Sequence, residues 1–226
     1  MAGRIALVGG DEFRDGCEPM DEAILAATGK SAPVTLIVPT AAAFERPDLA
    51  AQNGVRHFSS LGADAHTLMA LDRDDAMDAG LASEIASADL VYLTGGNPAH
   101  LLEAISESAL LNNIASALER GAVLAGSSAG AMVMGSWMRF REWRRALGIV
   151  DRIATLPHHE RADPDSTLLE LDTSAPDELN AVLGVDGRCG ALSGPDGWTA
   201  LGPGNVTVYR SGAWRQYTDG DNFTIS

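Results

Sequence analysis

"GAVLAGSSAGAMVMG", Gly121 to Gly135, runs from an apolar strand-like segment through two adjacent serines into a helix-like run. Its centre, Gly126-Ser127-Ser128-Ala129-Gly130, fits G-x-S-x-G, a sharp strand-to-helix turn whose glycines allow a strained serine with an exposed hydroxyl. The residues upstream repeat the strand-then-helix pattern. Apolar runs at Arg4 to Gly9, Val34 to Pro39, Ala65 to Leu71, Asp89 to Gly96 and Ala122 to Gly126 read as strands. Helix patterns lie around Met20 to Ala27, Pro47 to Leu61, Ala76 to Ala86, Pro98 to Ile105 and Leu110 to Arg120. Continuous apolar strands separated by helices indicate an α/β chain with a mostly parallel sheet covered on both faces.

After about Gly184 the texture changes to short runs spaced by Gly, Pro and Asp, among them "GALSG", "WTALGPG" and "VTVYRSGAWRQY". These predict C-terminal antiparallel hairpins added to the edge of the sheet. No internal repeat or long linker divides the chain, so residues 1–226 are expected to form a single domain.

The 226 residues are 46% hydrophobic and 21% charged, enough for one packed core. Thirty-one acidic against sixteen basic residues give a formal charge of −15, which argues against nucleic acid or an anionic membrane as partner. The first apolar run is too short for a signal segment or a membrane span, and no later run reaches spanning length. Cys17 and Cys189 lie far apart without metal-type spacing, which points to a reduced, cytoplasmic compartment.

In an open parallel sheet, ligands bind outside the carboxyl ends of the strands. Three predicted strands end there in glycine-rich loops: Gly9-Gly10, Gly95-Gly96-Asn97 and the serine turn itself. The turn sets the backbone N–H of Ala129 where it can stabilise an oxyanion forming near Ser128, with a second donor from Gly95 or Gly96. A nucleophilic serine needs a base. Of five histidines, His57, His66 and His100 fall on predicted helices or a strand, while His158 and His159 stand in "LPHHE". Neighbours on an extended backbone point to opposite faces, so one of that pair could reach Ser128. The same alternation makes a metal site from His158, His159, Glu160, Asp163 and Asp165 awkward, and neither metal nor cofactor is expected.

With "LTGGN", "AGSSAGA" and "LPHH" in this order, and with "ALVGGDE" and "IVPTAA" at its first two strand ends, the sequence resembles the dipeptidase E and cyanophycinase family of serine peptidases, within the class I glutamine amidotransferase-like superfamily. The resemblance implies a three-layer α/β/α sandwich and an acyl-enzyme on Ser128. It favours His158 as base, since the family often reads Pro-His-Phe where this chain has Pro157-His158-His159, and leaves His159 as the alternative. Where the family often carries Gly-Ile-Asp-Glu, with the Glu supporting the histidine, this chain reads Gly184-Val185-Asp186-Gly187. Asp186 is therefore the candidate acid, with Glu142 behind it.

The implied substrate is a short peptide with an N-terminal aspartate. Arg139, Arg141, Arg144 and Arg145 crowd into "MRFREWRRALG", and Arg161 follows the histidine pair. Arginine suits bidentate recognition of carboxylates, so Arg161 or this cluster is expected to bind a substrate carboxylate, with Asn97 also in the substrate site. An arginine- and tryptophan-rich surface for contact between copies in a homo-oligomer is the competing reading. Two other functions stay open on sequence grounds: hydrolysis of a different amide or an ester, and a catalytically inactive ligand-binding relative.

Overall fold

The computed structural model describes residues 3–225. Its central feature is an eight-stranded sheet with five parallel strands in the middle and on one side: β1 (Arg4–Val8), β2 (Val34–Val38), β3 (Asp64–Thr67), β4 (Leu90–Leu93) and β5 (Val123–Ser127). They lie in the order β1, β5, β4, β2, β3. Between them run α1 (Glu18–Ala26), α2 (Pro47–Ser60), α3 (Arg73–Met77), α4 (Ala79–Ser83), α5 (Pro98–Ile105) and α6 (Ala109–Glu119). Then α7 (Ala129–Met134) leaves the end of β5.

Side chains alternate across the sheet, as the period of a strand requires. Ala6, Val8, Ile37, Leu90, Tyr92 and Ala125 pack with Met20, Ile24 and Phe58 of α1 and α2. Leu7, Leu36, Val38, Val91, Leu93 and Leu124 pack on the other face, with residues of α3 to α7. Three layers result, as the resemblance implies. β3 is the edge; its sequence, Asp-Ala-His-Thr, is mostly exposed and polar, which discourages pairing with another chain.

The helix expected over Ala76 to Ala86 is instead two short helices and a 3₁₀ turn (Glu84–Ser87). Asp72 and Asp78 are the reason. Each accepts a hydrogen bond from a backbone N–H three residues on, Asp75 and Leu81, so a helix starts afresh at each aspartate.

The C-terminal hairpins divide between two places. β10 (Gly190–Gly194), β11 (Gly197–Leu201) and β14 (Asn222–Phe223) extend the main sheet antiparallel beyond β1, as expected. A second sheet forms from β8 (Ile153–Pro157), β9 (Ala181–Val185), β12 (Val206–Arg210) and β13 (Ala213–Tyr217), with β8 and β9 parallel. Leu183, Val185, Val206 and Val208 join the same core cluster as Leu7 and Leu124, so this sheet is packed rather than appended. The remaining elements are a hairpin of β6 (Trp137–Phe140) and β7 (Glu142–Arg145), and α8 (Pro164–Ser174). Among the described residues no helix is long and apolar enough to cross a membrane.

Register sets the site. Val8 lies opposite Ser127, and Leu93 opposite Gly126, so the loops leaving β1, β4 and β5 emerge side by side. The N–H of Ser128 donates to the carbonyl of Val8 (2.9 Å) and that of His158, just past β8, to Gly9 (2.9 Å). Four chain segments are thereby tied at one edge.

Candidate active site

Ser128 sits between β5 and α7 at φ 48°, ψ −104°, a backbone conformation that costs a non-glycine residue on the order of 1–3 kcal/mol. The glycines around it are dictated by contact. A Cβ on Gly126 would stand 2.5 Å from the Gly130 carbonyl carbon, and one on Gly130 would stand 2.4 Å from the Leu93 oxygen. The elbow is thus wound too tightly for any side chain but that of its serine to face outward.

A cleft of about 560 Å³ opens over Ser128 and is lined also by His158, Gly95 and Gly96. His158 has left-handed backbone angles (φ 52°, ψ 41°), which end the extended run of β8 and turn the ring toward the cleft. The ring lies against Gly10, whose φ is 125° and where a Cβ would be 2.2 Å from His158 Cε1. Nδ1 of His158 is buried without a hydrogen-bond partner among the described residues.

His159 goes the other way. It is buried, its Nε2 lies 2.6 Å from the Tyr209 hydroxyl, and its ring fills the space above Gly184. Burial pushes its pKa down, against the pull of the Asp186 and Glu160 charges. A histidine whose folded pKa is lowered favours the folded state above its unfolded value, about 6.5, and that stability is lost as pH falls through the folded value. Denaturation midpoints should therefore decline as pH drops below about 6.5, and His159→Gln should flatten the decline. Equal slopes in the two proteins would contradict this placement.

The other three histidines have partners of their own. His57 pairs with buried Asp21 at 2.8 Å, His66 with Asp64, and His100 with the Leu71 carbonyl beneath Phe44. Cys17 and Cys189 are free and buried, with burial pushing both thiols up to about 11, so neither serves as a nucleophile at neutral pH.

Several expected site residues are engaged elsewhere. Asp186 is buried and accepts hydrogen bonds from the backbone N–H (2.8 Å) and side chain (3.2 Å) of Asn205, so it pins the approach to β12 instead of holding His158. Glu142 is exposed on the β6–β7 hairpin, opposite Phe140. Asn97 caps α5, its side-chain oxygen taking the N–H groups of Ala99 and His100. Arg161 is largely exposed, pairs with Glu160 at 3.2 Å, and does not line the cleft. Arg139 and Arg145 clasp Glu170 and Glu178 while lying over Trp143 and Trp137. That cluster buttresses α8 and the turn after it.

The five residues weighed as metal ligands also scatter. Asp163 caps α8 and Asp165 accepts from Trp214, while Glu160 accepts from the N–H of Gly187.

Sequence reasoning passed over the charged residues of the loop after β1. Glu12 bridges two parts of the site: Oε1 accepts from the N–H of Gly95 (2.8 Å) and Oε2 from the hydroxyl of Ser127 (2.8 Å). Of the two glycines offered as oxyanion donors, Gly95 therefore gives its N–H to Glu12, and Gly96 is the one whose N–H has no protein acceptor among the described residues. Gly96 is held at φ 139°, where a Cβ would strike the Ala41 carbonyl. Asp11 and Phe13, on either side of Glu12, both have positive φ, and Phe13 anchors the loop among His57, Phe58 and Tyr92. Arg14 and Arg46, from the loops after β1 and β2, are the arginines that line the cleft. The doubled glycine at 9–10 marked this loop as a ligand site; only folding shows which of its charges turn inward.

Residues 5–189 match the model of peptidase family S51. A cyanophycinase of Geminocystis herdmanii (strain PCC 6308) is 24% identical over 218 residues, spanning 90% of this chain and 79% of that protein. The fold is shared with a peptidase from an acI-B1 Actinobacterium, at TM-score 0.86 and 24% identity over 99% of this chain and 97% of that one. It is also shared with a candidate peptidase E protein of Listeria monocytogenes EGD-e, at TM-score 0.67 and 16% identity over 90% and 100%.

Proposed function

The chain belongs to peptidase family S51 and is a serine-type peptidase, and from that premise we propose that it is an exopeptidase for short peptides, acting through an acyl-enzyme on Ser128 with His158 as its base. The observation that carries this reading is the strained Ser128 facing the same cleft as His158. His158 takes the hydroxyl proton as Ser128 Oγ attacks the peptide carbonyl, and returns it to the leaving amine. The N–H groups of Ala129 and Gly96 receive the oxyanion. Water then enters, gives a proton to His158 as its oxygen attacks the acyl carbonyl, and the ester bond to Ser128 Oγ breaks as His158 returns the proton to Oγ, releasing the acid product.

The substrate side rests on charge. Arg14 and Arg46 give the cleft two guanidinium groups, and Asp11, Glu12 and Glu45 give it three carboxylates. A zwitterionic peptide with an acidic side chain matches both signs, which favours Asp-Xaa dipeptides and moves the carboxylate-binding role from Arg161 to Arg14 and Arg46. A dipeptide panel tests this. Asp-Xaa should be hydrolysed faster than matched Asn-Xaa and Lys-Xaa, and Arg46→Ala or Arg14→Ala should shrink the preference by roughly tenfold or more. Equal rates on all three would overturn the specificity. Turnover of cyanophycin alone would replace dipeptides as the substrate.

A further inference from the structure

In the loop after β4, the backbone N–H groups of residues 95 and 97 are both engaged, and the one between them is not. Gly95 N–H donates to Glu12 Oε1 and Asn97 N–H to the Ala41 carbonyl, each at 2.8 Å, while Gly96 N–H has no protein acceptor among the described residues. The Gly95 carbonyl is held too, accepting from the Thr94 hydroxyl at 3.3 Å. A trans peptide sets its C=O and N–H on opposite sides, so this bond directs Gly96 N–H away from Thr94. The peptide needs such holding. It joins two glycines, whose backbone turns most freely, and turned over it would offer a carbonyl to a developing oxyanion.

We propose that Glu12 is the positioning residue of the oxyanion hole, a brace that fixes the Gly96 donor of one loop relative to the Ala129 donor of the other. This rests on the reading of Ser128 as nucleophile. Oε1 holds the N–H of Gly95, next to Gly96, and Oε2 holds the hydroxyl of Ser127, two residues before Ala129, at 2.8 Å. A Cβ on Gly95 would lie 2.9 Å from Glu12 Oε1 and 3.5 Å from Ser128 Cβ, so carboxylate and nucleophile flank one glycine. Both oxyanion donors are backbone groups with no rotamer to adjust. Their spacing has to be set before charge develops.

Glu12 is itself anchored. Asp11 and Phe13 take φ of 56° and 62°, and the Phe13 ring packs 5.1 Å from Tyr92 and 5.9 Å from Phe58. That fastening leaves Glu12 half-buried in the wall of the cleft. Its hydrogen bonds, not its charge, serve the oxyanion, since a negative charge beside a forming one opposes it. Glutamine can keep both bonds: its amide oxygen accepts from Gly95 N–H and its NH₂ donates to Ser127 Oγ. Binding of the substrate ammonium is the rival role for Glu12, and that role uses the charge.

Glu12→Ala should lower kcat on an Asp-Xaa dipeptide by roughly 100- to 1,000-fold, the loss that follows removal of one oxyanion donor, with KM within about threefold. Glu12→Gln should stay within about tenfold of the parent kcat. In the Glu12→Ala background, Ser127→Ala should cost less than about threefold more, because the brace that both residues form is already gone. Melting curves show that folded proteins are compared. Turnover of Glu12→Ala within about threefold of the parent overturns the proposal. So does full additivity in the double variant. A loss in Glu12→Gln equal to that in Glu12→Ala also overturns it, and assigns the charge to the substrate ammonium. Where the alanine variant does not fold, Glu12→Gln decides alone, and a loss above about 100-fold there overturns the brace. Fluorophosphonate labelling of the parent separates the levels: absent modification of Ser128 removes the catalytic reading and the brace with it, whereas normal labelling beside an unaffected Glu12→Ala variant removes the brace alone.

Discussion

Ser128→Ala is expected to lower peptide turnover by about 10⁴-fold or more while leaving the fold intact. The hydroxyl is the attacking group, and alanine fits the same elbow, since the bond from residue 128 to the Val8 carbonyl uses backbone N–H. Residual hydrolysis would come from the oxyanion donors and substrate binding. Ser127→Ala should cost far less. Its hydroxyl is buried and donates to Glu12, so its loss loosens the bridge to Gly95 without removing a reacting atom. Steady-state kinetics on one dipeptide compares the two. A dead Ser127→Ala beside an active Ser128→Ala would show that the elbow is wound one residue differently.

Gly10→Ala carries the second largest expected effect, although residue 10 has no chemistry of its own. The added methyl would lie 2.2 Å from Cε1 and 2.5 Å from Nε2 of His158, at a φ that L side chains rarely adopt. The imidazole must move, and displacing a catalytic group by about an ångström costs on the order of 100-fold. A loss between about 10² and 10⁴ in kcat is expected, with KM changed less. The backbone strain should also lower stability by about 1–2 kcal/mol, so melting is followed separately to show that the folded protein is the impaired species. Full activity in Gly10→Ala would mean that His158 does not work from this position.

These effects divide according to what is written locally in the chain. The elbow was legible because Gly126 and Gly130 are demanded by contacts within one strand, one turn and the neighbouring strand. The parallel strands were legible from their apolar runs. The second sheet was not, since β9 and β12 carry the same short apolar pattern as β10 and β11, and only their partners differ. The choice of His158 over His159 came from family resemblance and agrees with the burial of His159 against Tyr209. Asp186 does not meet Nδ1 of His158 in this structure: sequence proximity to the family's glutamate says nothing of Asn205, which engages Oδ2 of Asp186 from nineteen residues away. Glu12 and Arg46 line one cleft because the loops after β1 and β2 open at the same edge of the sheet, and which side chains of those loops turn inward is written in no spacing of the sequence.

The most direct measurement is a peptide map of the protein after reaction with a fluorophosphonate. A single adduct on Ser128 is expected, lost in Ser128→Ala, retained in Ser127→Ala, and slowed when an Asp-Xaa dipeptide competes for the cleft. An adduct on any other residue, or no adduct on folded protein, would contradict a serine nucleophile at this elbow.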